Sequence, residues 1–191
     1  AQFLTENLRY EPRGTVSFSV DASSFVGVDG PDTWGLAAFG YGTVGQGLSE
    51  LLLEKREAMA RDYGLEWSVV GISDIRHGSC HNPAGLDLAR ALDMVGRSES
   101  LSDMPGAGCD WDAMTMIARA EADTVVELTY TDIRTGEPAT SHIRAALERG
   151  RHVVTTNKGP IALHYGELAA MAAARGVQLR FEGTVMSGTP A

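Results

Sequence analysis

The feature that most limits what this chain can become is the stretch Trp34-Gly35-Leu36-Ala37-Ala38-Phe39-Gly40-Tyr41-Gly42-Thr43-Val44-Gly45. A short apolar run enters a glycine-rich turn, and Val44, Leu48, Leu51, Leu52 and Met59 follow at helical spacing. The pattern is strand, elbow, helix. Gly40, Gly42 and Gly45 have the G-x-G-x-x-G spacing, in which the first glycine permits the tight turn, the second lets backbone approach a pyrophosphate, and the third lets the helix pack closely on the sheet. Tyr41, Thr43 and Val44 fill the intervening positions. The start of the helix would then meet an anion with unpaired N–H groups and the positive end of its dipole, without any basic side chain. Glycines alone also occur in turns of other α/β proteins. The flanking strand and helix patterns favour a dinucleotide over a plain turn.

The remaining pattern alternates β and α. Apolar or β-branched runs centred near residues 36, 69, 126, 154 and 179 are separated by helical spacings over 43–61, 86–95, 112–121, 138–149 and 161–175. This predicts an α/β fold with a doubly wound, mostly parallel sheet, Rossmann-like, covered by helices on both faces. Residues 1–33 read as an N-terminal extension, where Val16, Phe18 and Val20 alternate on one face of an edge strand or arm. Residues 34–182 read as the dinucleotide-binding domain and 183–191 as the start of a link to a substrate or catalytic domain not contained in this chain. The segment 77–112 carries the weakest patterns.

Ligands of such sheets bind at the carboxyl ends of the strands, so residues there are the site candidates. The second strand ends in Asp74-Ile75-Arg76, which offers both an acid for the ribose hydroxyls of NAD and an arginine for the 2′-phosphate of NADP. The alternative is Asp74 as a loop or capping residue. The run Val125-Val126-Glu127-Leu128 ends at Thr129, whose hydroxyl lies where the nicotinamide half is expected, while Thr131 and Asp132 also suit helix capping. His152 to Thr156 deliver Asn157-Lys158-Gly159-Pro160 to the same edge, where Lys158 can orient a carbonyl in a hydride-transfer site or remain a solvated loop lysine.

Charge and cysteines narrow the partners. The net charge of −9 and pI near 5.0 leave no basic face for nucleic acid. No apolar run reaches the roughly 20 residues that span a bilayer. A soluble, cytoplasmic protein is expected. Cys80 and Cys109 form no disulfide framework, and Cys80-His81 with His77 reads as a polar surface loop in preference to a metal site. An unpaired strand at 15–20 favours association, with a homodimer as the expected form.

Taken in order, Gly40 to Gly45, Ile72-Ser73-Asp74, Val126-Glu127-Leu128-Thr129, His152 to Pro160 and Glu182-Gly183-Thr184-Val185 resemble the nucleotide-binding half of homoserine dehydrogenase over residues 34–190. The family oxidises L-homoserine reversibly to L-aspartate 4-semialdehyde with NAD or NADP, in the route to threonine and methionine. The resemblance implies that Gly40 to Gly45 hold the pyrophosphate, that Thr129 lies beside the cofactor, and that Lys158 reaches the nicotinamide and a small amino-acid substrate. It also implies a sodium-binding loop with Glu182, Val185, Ser187 and Thr189 at the liganding positions. Met186 stands where the family usually has glycine, and the bulky Tyr130 where it has a small or ring-constrained residue. Two other readings stay open on the residues: a nucleotide-binding regulatory module without turnover, and a reductase of another small aldehyde in specialised metabolism.

Overall fold

A computed structural model describes residues 33–185. The expected strand at 15–20 lies outside them. Six strands form one sheet: β1 (Trp34–Phe39), β2 (Trp67–Asp74), β3 (Gly78–His81), β4 (Thr124–Glu127), β5 (His152–Thr155) and β6 (Leu179–Arg180), in the order β3-β2-β1-β4-β5-β6. All neighbours are parallel except β2 and β3. Five helices, α1 (Thr43–Tyr63), α2 (Leu88–Gly96), α3 (Ala113–Arg119), α4 (Ala139–Glu148) and α5 (Lys158–Arg175), connect them. No helix among the described residues is long and apolar enough to cross a membrane.

Strand periodicity divides the core between the two sheet faces. Ala37, Phe39, Val125 and Val153 pack with Met116, Ile117, Ile143, Leu147 and Leu168, which brings α3, α4 and α5 onto one face. Ala38 and Ile72 pack with Tyr41, Leu52, Leu88 and Met94, which brings α1 and α2 onto the other. Both faces of the strands are therefore apolar, as a parallel sheet requires. The helix ends follow local chemistry: Asp87 and Asp112 cap α2 and α3 through their side chains, and left-handed Gly64 and Gly176 close α1 and α5.

Two parts of the sequence reading need correction. Cys80-His81 is strand β3 and not a surface loop: β2 turns back at Asp74 and pairs antiparallel, with Ile72 opposite Cys80. Cys80 is fully buried, and burial pushes its thiol up to about 12. Only this residue of β3 faces the core, so a polar segment conceals a strand. The last strand is also shorter than the expected 177–182, because a 3-10 turn over Glu182–Thr184 takes the chain out of the sheet. Between Leu36 and Ala37 the pairing of β1 with β2 slips by a residue, so β2 contains a bulge at Val70-Gly71.

Candidate nucleotide site at the strand ends

The register of the parallel strands fixes which residues share the rim. Phe39 lies opposite Ser73 on one side and Glu127 on the other, and Glu127 lies opposite Thr155. The next residues in each strand therefore emerge together: Gly40, Asp74, Leu128-Thr129 and Thr156-Asn157-Lys158. The chain changes direction across the sheet between β1 and β4, which is where open α/β sheets form their crevice.

Each elbow glycine meets a different environment. Gly40 has φ +90°, and a Cβ there would lie 2.5 Å from Leu128 O. A Cβ on Gly45 would lie 2.4 Å from Gly40 O, so the first turn of α1 sits directly against the strand end. Gly42 has nothing within 4 Å of its Cβ position. Gly40 and Gly45 are required by the protein's own backbone; Gly42 faces open space, as a position approached by a ligand would. Gly42 caps α1 without a side chain, and the N–H groups of Thr43, Val44 and Gly45 lie in the first turn, where a helix has no carbonyl to offer them. A phosphate fits this donor set. The Tyr41 ring turns into the core, 1% exposed, with its hydroxyl on Ser49 Oγ at 2.9 Å, so only its backbone belongs to the rim.

Asp74 clamps the elbow to the β2–β3 turn. Its Oδ2 accepts the Tyr41 N–H at 2.7 Å, and its Oδ1 accepts those of Arg76 and His77 at 2.7 and 2.9 Å. Desolvation works to raise this carboxyl, but the N–H groups of Tyr41, His77 and Arg76 outweigh it and hold the carboxyl below its ordinary value. Arg76 extends from the same turn with an exposed side chain.

Across the crevice, the rim is built on a residue that sequence reasoning passed over as one letter of a strand. Glu127 is 0% exposed. Its Oε1 accepts the Thr129 N–H at 3.3 Å, the Thr129 hydroxyl, and His142 Nδ1 at 3.2 Å; its Oε2 accepts Asn157 Nδ2. Its backbone carbonyl takes the Thr155 hydroxyl at 3.1 Å, and Thr155 Oγ1 in turn accepts the Asn157 N–H at 3.0 Å. The available signal was a lone acid in an apolar, β-branched run, since a carboxylate inside a sheet core requires donors from elsewhere in the chain.

The remaining candidates are distributed as follows. Lys158 opens α5 at the end of β5, exposed and on the same rim. Asp132 does not cap α4; it closes its own turn by accepting the N–H groups of Arg134 and Thr135. Tyr130 is 83% exposed. Of the sodium quartet, Ser187 and Thr189 lie outside the described residues. The Glu182 carboxylate faces Arg180 at 3.9 Å, and the Glu182 carbonyl already accepts the Val185 N–H.

The profile of the homoserine dehydrogenase NAD-binding domain matches residues 40–182. The chain is 43% identical over 155 residues to an NAD(+)-dependent homoserine dehydrogenase of Pseudomonas canavaninivorans, covering 81% of this chain and 44% of that one. It is 35% identical to homoserine dehydrogenase of Methanocaldococcus jannaschii, over 79% of this chain and 44% of the relative. A hyperthermophilic archaeal homoserine dehydrogenase solved in complex with NADPH superposes with a TM-score of 0.70 at 30% identity, over 83% of this chain and 46% of the other. The chain spans less than half the length of these relatives. The family profile and the identity to these relatives, over a chain with this strand order, show that the chain belongs to the homoserine dehydrogenase family through its NAD-binding domain.

Proposed function

We propose that this chain is the cofactor half of an NAD(P)-dependent dehydrogenase that interconverts L-homoserine and L-aspartate 4-semialdehyde, in amino-acid biosynthesis leading to threonine and methionine. The observation that carries this reading is the common row of Phe39, Glu127 and Thr155, from which Gly40, Thr129 and Lys158 follow onto one rim. The nicotinamide ring, when bound, accepts or delivers the hydride. Gly40 to Gly45 hold its pyrophosphate on backbone N–H groups, Thr129 lies beside the ring, and the Lys158 ammonium orients the substrate oxygen and offsets charge developing there.

Both cofactors suit the Asp74-Ile75-Arg76 turn. Three N–H donors already occupy the Asp74 carboxylate, which leaves it little capacity to discriminate at the ribose, and the exposed Arg76 can accompany a 2′-phosphate. Calorimetric titration of the chain with NADH and NADPH tests the reading, together with a homoserine oxidation assay of the protein containing its catalytic portion. Binding of at least one cofactor and turnover of homoserine are expected. Cofactor binding without turnover would instead mark a nucleotide-binding module. Replacing Arg76 with Ala raises the NADPH dissociation constant by about tenfold, the scale of one charge-assisted hydrogen bond, and leaves NADH unchanged.

A further inference from the structure

Glu127 sits beneath the rim, fully buried, and does not itself reach the crevice. Its surroundings nevertheless dictate what the crevice can recognise. As a carboxylate it can only accept, so every group turned toward it must donate. The Thr129 hydroxyl has a single proton, and Glu127 Oε1 takes it. What remains on Thr129 Oγ1 is lone pairs. The Asn157 amide must likewise turn its nitrogen to Glu127 Oε2, which places its oxygen on the other flank of the amide group.

A second observation agrees. Asn157 occupies the N-cap position of α5, where an asparagine oxygen ordinarily accepts an N–H from the first helical turn, yet its side chain makes no such bond. The amide is engaged with Glu127 in place of the helix. His142 supports the carboxylate from α4 and is itself held against the Phe39 ring at a centroid distance of 5.7 Å. The donors therefore come from β4, α4 and the β5–α5 junction, a geometry that fixes the carboxylate from three sides.

We propose that Glu127 is a positioning residue that sets the hydrogen-bond polarity of the β4–β5 rim, making Thr129 Oγ1 and Asn157 Oδ1 acceptors for the donors of the nicotinamide half: its carboxamide NH2 and ribose hydroxyls. The inference rests on the cofactor reading above. Acceptors on Thr129 and Asn157 above a buried carboxylate complement the unpaired N–H groups of the elbow at α1. The two sides of the crevice then orient the dinucleotide end to end, phosphates on the N–H groups and nicotinamide on the lone pairs.

Calorimetric titration of the full 191-residue chain with NADH and with ADP tests this, because ADP shares the adenosine and diphosphate but has neither the second ribose nor the nicotinamide. Glu127→Gln brings a donor into the network and is expected to weaken NADH by about tenfold, one hydrogen bond's worth, with ADP affinity kept within about twofold. Thr129→Val is expected to reproduce that selective loss, and Thr129→Ser to restore wild-type binding. Should Glu127→Gln fail to fold, the two Thr129 variants decide. Equal loss of NADH and ADP, or unchanged NADH binding in Thr129→Val, overturns the inference and leaves the dinucleotide reading standing. A wild-type chain that binds neither ligand overturns both.

Discussion

The two sides of the crevice are built in opposite ways. On the β1 side the elbow owes its shape to atoms that are absent: Gly40 and Gly45 exist because a Cβ at either would collide with backbone. On the β4–β5 side the shape comes from side chains that are present, with one buried acid holding Thr129, His142 and Asn157. Backbone that must approach backbone tolerates no substitution, whereas a polar network tolerates exchange of members provided donors and acceptors still match. The first kind of construction is stiff and local; the second joins residues 30 positions apart.

Substitutions at the two sides sharpen this contrast. The largest effect is expected for Gly40→Val, which adds a branched side chain at φ +90° within 2.5 Å of the Leu128 carbonyl oxygen. Urea unfolding should show a loss of about 3 kcal/mol or more, and a variant of wild-type stability would mean the elbow can relax. Glu127→Leu should follow, at about 2–3 kcal/mol, because the Thr129 N–H and Asn157 amide lose their acceptor while volume is nearly kept. A smaller cost would show that water enters behind the rim. Gly42→Val separates site from scaffold: stability should stay within about 0.5 kcal/mol, while NADH affinity falls by about tenfold or more, because the side chain enters space free of protein atoms. Equal NADH binding by this variant and the wild type would remove the elbow from the site.

The smallest effect belongs to Asp74. Its folded carboxyl is held below the unfolded value, so its contribution is complete above a pH of about 4 and disappears as pH falls through the folded value. Asp74→Asn should therefore cost about 1 kcal/mol near neutrality, and the gap from wild type should narrow as pH falls below about 4. A gap independent of pH would show that shape, and not charge, ties the elbow to β2.

The contrast also explains how much the sequence disclosed. The order of strands and helices was readable because apolar periodicity is local, as in Val125-Val126 followed by α4 and then Val153-Val154. The elbow was readable because glycine spacing is local too. The β3 strand was not, since only Cys80 of its four residues is buried and its pairing depends on the turn at Asp74. Nor was the Glu127 network, whose members lie at 127, 129, 142 and 157 and meet only after the sheet and α4 have formed. Periodicity reports which face a residue takes; it does not report which distant donor will meet it there.

The bulge in β2 has a consequence for the whole rim. Val70 packs toward the α3 side, and a Cβ on Gly71 would strike Met116 Sδ at 2.4 Å on that same side, so two successive positions point one way. The up-and-down count restarts after them, which is why Val69 and Ile72 both lie under α1 and α2 despite their odd separation. Shortening β2 by that single residue would reverse the phase of everything beyond it, swing the Asp74 carboxylate through the sheet, and leave the Tyr41 amide without its acceptor.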